Sequence, residues 1–296
     1  SPPSRYAGPA MTEWLRHHRG LIPYLFLVPG GLWLIVFFVL PLITAASVAL
    51  QEGSLGTGYR LTFNFGIFPE AIARWDDQLV RSLQYGLIVT VLTMLIGYPM
   101  AYTIAFKGGR YKNILLLFVI MPFFTSFIIR TISWKFILAD QGFVLGTLKD
   151  VGILDQGFRL LATPVAVISG ITYNFLPFVV LPLYVALERI NPRLIEAAED
   201  LYASRTQAFL RVTLPLSISG VFAGSLLSFI PAVGDYLNAE LLGSRNTTMI
   251  GNVIQRLYLV NNDYPQASAL SLILMLGILV SVFLYRRLLR GQELTV

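Results

Sequence analysis

The sequence predicts an all-α membrane protein with six transmembrane helices, and two observations lead to this fold class. The 296 residues are 55% hydrophobic and only 13% charged, about half the charged fraction of roughly 25% that soluble domains carry. Their mean hydropathy is +0.68. The apolar residues also fall into six stretches that are each long enough to cross a hydrocarbon core, which takes roughly 20 residues of helix.

The six predicted spans are 21–50, 83–106, 114–138, 164–187, 215–237 and 267–289. The first has no charged residue and is far longer than the apolar core of about 7–15 residues in a signal peptide. We therefore predict a retained helix, although Ser47-Val48-Ala49 loosely resembles a cleavage site. Proline lies inside five of the spans, which indicates kinks for packing or bending helices along a path. Pro231 with Gly234, next to Asp235, is the best candidate for a bend.

Lysine and arginine in the loops predict the orientation, because they are enriched on the cytoplasmic side. With the N-terminus inside, 13 of the 22 basic residues are cytoplasmic and 7 are outside, and Arg130 and Lys135 lie in or at the edge of span three. Both termini are then cytoplasmic. The predicted organisation is a tail (1–20), a transmembrane domain (21–290) with a distinctive loop at 188–214, and a second tail (291–296).

Several kinds of chemistry are excluded by residue content. The chain has no cysteine, and its only histidines, His17 and His18, precede every apolar stretch. Disulfides, thiolate metal sites and an intramembrane histidine base are therefore excluded. No phosphate-binding Gly-x-x-x-x-Gly-Lys-[Ser/Thr] motif occurs either, so the chain is not expected to hydrolyse ATP. The net charge of +6 comes from short turns between spans, which favours membrane orientation over nucleic-acid binding.

The 188–214 loop is predicted to form two short helices joined by a turn. Asn191 before Pro192 is a good helix start, and Ser204-Arg205-Thr206-Gln207 matches a capping box that begins a second helix. Pro215 predicts that this second helix ends near Leu214. Such a helix pair is either a pair of interfacial helices or a surface that a soluble cytoplasmic partner can hold.

Within this loop Glu196-Ala197-Ala198 is followed after three residues by position 202, and after nine more by Val212-Thr213-Leu214-Pro215. This spacing resembles the EAA loop of type I ABC-importer permeases, in which position 202 is glycine. Tyr202 departs from that pattern, so either the turn is built differently or the tyrosine packs on a partner. The resemblance implies the type I permease fold, with coupling helices between spans four and five. It implies that an ATPase contacts Glu196, Ala197, Ala198, Asp200, Leu201, Tyr202, Ala203, Ser204, Leu214 and Pro215.

Segments 97–102, 121–130, 175–184, 196–204, 230–236 and 249–254 resemble the spermidine/putrescine branch of this family. The resemblance implies a non-catalytic, multi-pass subunit of a bacterial inner membrane that works with a second permease (PotC type), two copies of an ATPase (PotA type) and an external substrate-binding protein (PotD type). The resemblance implies no cofactor in this chain, because ATP and magnesium bind to the ATPase. An importer of iron, phosphonate, thiamine or an oxyanion is the nearest alternative, and a channel, carrier or membrane enzyme is favoured less.

A polyamine path needs carboxylates for its ammonium groups and aromatic faces for cation–π contacts. Asp235 is the only acidic residue inside a predicted span and is therefore a candidate substrate contact near the outer mouth. The other predicted members of the path are Tyr236, Glu240, Tyr173 and Trp134. The alternative for Asp235 is a structural ion pair with Arg130, which lies at a similar predicted depth in span three.

Overall fold

A computed structural model describes residues 22–293. The predicted N-terminal tail lies outside these residues, as do the last three positions, 294–296. The final helix continues to Glu293, three residues beyond the predicted end of the transmembrane domain. Apart from one small hairpin, the regular structure in the described range is helical.

The two strands are β1 (Gln51–Ser54) and β2 (Gly58–Leu61), which pair antiparallel. The α-helices are α1 (Ile22–Leu34), α2 (Leu40–Ala49), α3 (Ile67–Tyr102), α4 (Lys112–Ile120), α5 (Phe127–Leu138), α6 (Phe143–Asp150), α7 (Pro164–Glu188), α8 (Pro192–Asp200), α9 (Arg205–Ala208), α10 (Leu214–Leu216), α11 (Ile218–Val233), α12 (Leu237–Leu242), α13 (Ile250–Leu259) and α14 (Tyr264–Glu293). Three π-helical turns extend or join them: Ile35–Val39, Thr103–Lys107 and Phe209–Thr213.

Within residues 22–293, four helices are each long and apolar enough to cross a membrane, and two bent helix pairs bring the total to six if each pair is one span. The four helices are Leu27–Ala49, Ile67–Lys107, Pro164–Glu188 and Tyr264–Arg287. Predicted spans one, four and six are therefore confirmed as continuous helices, and so is the apolar part of span two. A polar helical segment from Ile67 precedes that apolar part, and a kink at Trp75, with a φ of −126° and a ψ of 24°, separates the two.

The third span is not the straight helix that its hydropathy predicted. It bends by 95° between Gly109–Phe124 and Phe127–Asp150. Pro122 is the second residue of a short 3-10 turn, Met121–Phe124, and Thr125 then takes an extended conformation with a φ of −94° and a ψ of 148°. Because an extended residue cannot continue the helical hydrogen bonds, α5 starts in a new direction at Phe127.

The fifth span is also bent, by 68° between Arg205–Leu216 and Ile218–Val233. The prediction that the loop helix ends at Leu214 is wrong by a few residues. The helix continues through Pro215, because α10 follows the π-helical turn Phe209–Thr213 directly and Thr213 and Leu214 both keep helical backbone angles. The bend falls at Ser217 instead, and α11 then ends at Val233 rather than at the predicted residue 237.

Spans two, four and five form the centre of the molecule, and span six packs beside spans one and two. The interior of this bundle includes Val179, Leu183 and Leu187, which are fully buried. Close approach of spans four and five depends on Gly220, where an added Cβ would lie 2.6 Å from the Ala186 Cβ. Small residues at such crossings let membrane helices pack tightly where the hydrophobic effect between helices is absent.

Candidate functional site

The 188–214 loop forms the two capped helices that its sequence predicts. The Asn191 side chain accepts a hydrogen bond of 3.1 Å from the Arg193 amide and so caps α8. At α9 the Gln207 amide donates to Ser204 Oγ at 3.3 Å, and the Ser204 amide donates to Gln207 Oε1 at 2.9 Å. These reciprocal bonds complete the predicted capping box. Both helix starts are therefore confirmed.

The turn between these helices has the geometry that glycine usually provides. Tyr202 has a φ of 62°, in the left-handed region. Its amide bonds to the Glu199 carbonyl at 3.0 Å, and the Ala203 amide bonds to the Ala198 carbonyl at 3.1 Å. These two bonds define a Schellman motif with Tyr202 at the left-handed position. The suggestion that the turn is built differently is therefore wrong: tyrosine adopts the glycine conformation.

The first loop helix leaves apolar side chains uncovered. Leu194 is 49% exposed, Leu201 is 81% exposed and Tyr202 is 99% exposed. Leu194 belongs to α8, whereas Leu201 and Tyr202 lie in the turn that follows it. The predicted contact residues differ in exposure: Glu196, Ala197, Asp200, Ser204 and Pro215 are exposed, whereas Ala198, Ala203 and Leu214 are half-buried.

Beyond the opposite end of span five, Asn238 joins three helices in a buried polar cluster. Its Oδ1 accepts hydrogen bonds from Thr131 Oγ1 and Asn174 Nδ2, both at 3.2 Å. Asn174 Nδ2 also donates to Thr131 Oγ1 at 3.3 Å. The three residues come from α5, α7 and α12 and are almost completely buried. The cluster is therefore a fixed junction between spans three and four and the short helix after span five.

Asp235 is bound to this junction through Asn238. Its Oδ1 accepts from the Asn238 amide at 2.9 Å, and its Oδ2 accepts from Asn238 Nδ2 at 2.6 Å. The side chain therefore caps the start of α12, and both of its oxygens have a donor. Gly170 permits this packing, because an added Cβ would lie 3.0 Å from Asn238 Oδ1 and 2.3 Å from Leu242 Cδ1.

The structure does not contain the ion pair between Arg130 and Asp235 that was the alternative role for Asp235. Among residues 22–293 the ion pairs join Lys112 to Glu188 and join Asp140 to Lys149 and Arg159. Arg130 is buried over the rings of Phe123 and Phe127, at 5.3 and 5.6 Å. The prediction came from counting depth along two straight helices. It is wrong because span three bends before Arg130, and span five ends before Asp235.

The other predicted path residues lie in two groups near the cluster. Trp134 and Tyr173 form an edge-to-face pair with ring centroids 5.4 Å apart, on the same helices as Thr131 and Asn174. Tyr236 and Glu240 lie beside Asn252, whose Nδ2 donates to the Tyr236 carbonyl at 2.7 Å and to Glu240 Oε2 at 3.1 Å. Tyr236 and Glu240 are exposed, whereas Asp235 is buried.

Sequence reasoning missed Asn174, Asn238 and Asn252, which hold this region together. Their signal was available, because an uncharged polar side chain in an apolar stretch needs a hydrogen-bond partner. The sequence could not supply most of those partners: Asn174 and Asn238 bond across helices to side chains 43 or more positions away, and Asn252 bonds to Tyr236 and Glu240 at 16 and 12 positions. Within the described range, no three His, Cys, Asp or Glu side chains are grouped so that they could hold a metal ion.

Comparisons with known proteins identify the class of protein. Residues 93–293 match the family described as the binding-protein-dependent transport system inner membrane component, and this match covers more than half of the chain. The fold resembles a chain of a bacterial ABC transporter involved in the import of alginate, with a TM-score of 0.70 and 22% identity over 95% of this chain and 99% of that one. The chain therefore belongs to this family of multi-pass inner-membrane permeases.

Within the family the relatives are more specific. The chain is 38% identical over 265 residues to the spermidine/putrescine transport system permease PotB of Haemophilus influenzae, covering 86% of this chain and 90% of that protein. It is 32% identical over 254 residues to PotB of Escherichia coli K12, covering 85% and 92%. The chain belongs with the PotB permeases, as the resemblance of its sequence segments predicted.

Proposed function

We propose that this chain is one of two permease subunits in an ATP-driven importer of polyamines such as spermidine and putrescine. The observation that carries the proposal is the 38% identity to a spermidine/putrescine permease over nearly the whole of both chains. The second permease, the two ATPase copies and the external binding protein correspond to the PotC, PotA and PotD types. ATP is hydrolysed by the ATPase partner.

The 188–214 loop is the docking surface for that ATPase, and it lies in the cytoplasm together with both termini. Three features support this assignment: the Glu196-Ala197-Ala198 spacing, the two helix caps that make the loop rigid, and the uncovered Leu194, Leu201 and Tyr202. Glu196 is exposed and suited to pair with a basic group in the ATPase cleft. The small Ala197 lets the two surfaces approach closely.

The polyamine enters beside the Asn238 cluster, on the side opposite the loop. Exposed Glu240 provides a carboxylate for an ammonium group, and exposed Tyr236 provides an aromatic face. Asp235 adds negative charge from its buried position while it holds α12 in place. Trp134 and Tyr173 line the same path from spans three and four.

Uptake of radiolabelled spermidine by the reconstituted importer tests this function. We expect Glu196→Arg to abolish ATP-driven uptake while the subunit still inserts, because the substitution places a positive charge against a basic site. Glu196→Gln is the matched control, since it keeps the shape and removes only the charge, and it should retain partial uptake. Transport of iron, thiamine, phosphonate or an oxyanion instead of spermidine would contradict the substrate assignment, and wild-type uptake by Glu196→Arg would contradict the docking role.

A further inference from the structure

One aromatic side chain of the loop contacts two aromatic side chains of span two. Phe209, the first residue of the π-helical turn after α9, lies edge-on to Tyr98 with ring centroids 5.5 Å apart. It also lies edge-on to Tyr102, at 6.1 Å. Tyr98 and Tyr102 are one helical turn apart, so both present their rings to the same side of span two. Edge-to-face pairs of this kind are directional contacts and not only apolar filling.

A hydrogen bond beside these rings fixes the bend of span five. The Tyr98 hydroxyl and Ser217 Oγ lie 2.7 Å apart. Ser217 is fully buried and separates α10 from α11, where the 68° bend occurs. The same hydroxyl of Ser217 donates to the Leu214 carbonyl at 3.1 Å. Span two is therefore joined both to the loop and to the residue at which the loop becomes a membrane span.

The loop itself is built to move as one piece. The capping box closes α9, the Schellman turn closes α8, and α8 contacts the π-helical turn that begins with Phe209. A displacement of the exposed α8 is consequently passed to Phe209 with little internal bending. Span two ends in a π-helical turn of its own, Thr103–Lys107, directly after Tyr102. Such turns are rare and are frequent at functional sites.

We infer that Phe209, Tyr98, Tyr102 and Ser217 form a latch through which the loop moves span two during transport. The inference rests on the proposed function, since the ATPase supplies the movement. The loop joins spans four and five directly, so the ATPase moves both. The latch adds span two to the elements that the ATPase moves. The latch residues are positioning residues, because they contact neither nucleotide nor substrate.

Span two can carry this movement to the side where the polyamine enters. From Tyr98 the helix runs 17 residues to Arg81, roughly 25 Å at 1.5 Å per residue. There Arg81 Nη1 donates to the Thr248 carbonyl at 3.0 Å, and the Ile250 amide donates to Ser82 Oγ at 2.8 Å. Ile250 begins α13, the helix that also carries Asn252 beside Tyr236 and Glu240. The latch thus connects the ATPase side to the candidate path through one helix.

The first test measures ATP hydrolysed per spermidine transported by the complete importer in proteoliposomes. Phe209→Ala removes the ring that both tyrosines contact. We expect ATP hydrolysis to continue while the ratio rises at least about fivefold, as the loss of two aromatic contacts implies. Phe209→Leu keeps the apolar bulk without the ring edges and should give an intermediate ratio. An unchanged ratio in Phe209→Ala would overturn the latch.

The hydroxyl contact has a matched control on the same helix. Tyr98→Phe removes the bond to Ser217 and keeps the ring, whereas Tyr102→Phe removes a hydroxyl for which no side-chain hydrogen bond occurs in the described part of the chain. We expect the ratio to rise in Tyr98→Phe and to stay at the wild-type value in Tyr102→Phe. Equal ratios for the two variants would show that the Tyr98 hydroxyl transmits nothing.

A covalent replacement of the latch provides the decisive test. The chain has no cysteine of its own, so Tyr102→Cys with Phe209→Cys gives a single pair for a short bifunctional thiol reagent. Before cross-linking, this double variant should hydrolyse ATP with little uptake. Cross-linking should restore uptake, because the loop and span two move together. Continued loss of uptake after cross-linking would overturn the inference, whether the two parts must separate or the contact is irrelevant.

Retention of the ATPase separates failure of the latch from failure of the proposed function. The ATPase is expected to co-purify with the wild-type permease and with every latch variant, because the exposed face of α8 is unchanged. If it is absent from the wild-type complex, the proposed function is wrong. If it is retained and cross-linking does not restore uptake, only the latch is wrong.

Discussion

Replacing Tyr202 by glycine is expected to stabilise the turn of the 188–214 loop. A non-glycine residue in the left-handed conformation costs roughly 1–2 kcal/mol. Glycine is also more flexible than tyrosine in the unfolded chain, and this lowers the free energy of unfolding by about 0.4–1 kcal/mol. The net gain is about 1 kcal/mol. Because the Tyr202 side chain is 99% exposed, its removal breaks no packing within the chain.

Amide hydrogen exchange in the assembled permease pair, without ATPase, measures this gain. About 1 kcal/mol corresponds to roughly fivefold slower exchange of the amides that close the turn. These are the amides of Leu201, position 202 and Ala203, which bond to carbonyls of α8. Tyr202→Ala is the matched control, since it removes the ring and keeps the left-handed strain, and its protection should equal that of the wild type. Equal protection in the glycine and alanine variants would refute the strain argument.

The same two variants measure what the Tyr202 ring contributes to ATPase binding. On the proposed function, Tyr202 packs against the ATPase, and burial of a large apolar side chain contributes about 1.5–3 kcal/mol. Both variants should therefore bind the ATPase roughly ten- to hundredfold more weakly. Titration of the ATPase onto the permease pair in lipid nanodiscs gives the affinity. Wild-type affinity of Tyr202→Ala would show that the ring makes no such contact.

Three further predictions concern the polar cluster. Asn238→Ala leaves buried partners unpaired and should cost about 3 kcal/mol, which lowers the Tm in detergent by roughly 5–10 °C; an unchanged Tm would refute the junction. Gly170→Ala should lower the Tm because its Cβ would clash, whereas Gly277→Ala, with nothing within 4 Å of its Cβ, should not; equal Tm values would contradict this packing. Asp235→Asn should reduce spermidine uptake, and adding Arg130→Gln should not restore it. Restored uptake would show that Asp235 acts by neutralising Arg130.

The local features of the loop were predictable from sequence because their causes are local. Asn191 and Ser204 cap helices through bonds to amides two or three residues away, so the residue types and their spacing are sufficient. The Tyr202 turn was half predictable. The family pattern indicates a left-handed position, but only the structure shows that tyrosine accepts it.

The bend angles and the polar cluster were not predictable from the sequence. Proline marked spans three and five as kinked, but it gave neither the angles of 95° and 68° nor the residues Thr125 and Ser217 at which the helices break. Asp235 looked like a lone buried charge because its partner, Asn238, was assigned to a loop. The junction partners of Asn238, Thr131 and Asn174, are more than 60 positions away.

A single cysteine at position 196 tests the central claim directly. Because the chain has no natural cysteine, a membrane-impermeant maleimide reports on this position alone. Glu196→Cys should be labelled in inside-out vesicles but not in intact cells, and binding of the ATPase should protect it. Labelling from outside intact cells, or labelling that is unchanged when the ATPase is bound, would contradict the docking of this loop on a cytoplasmic ATPase.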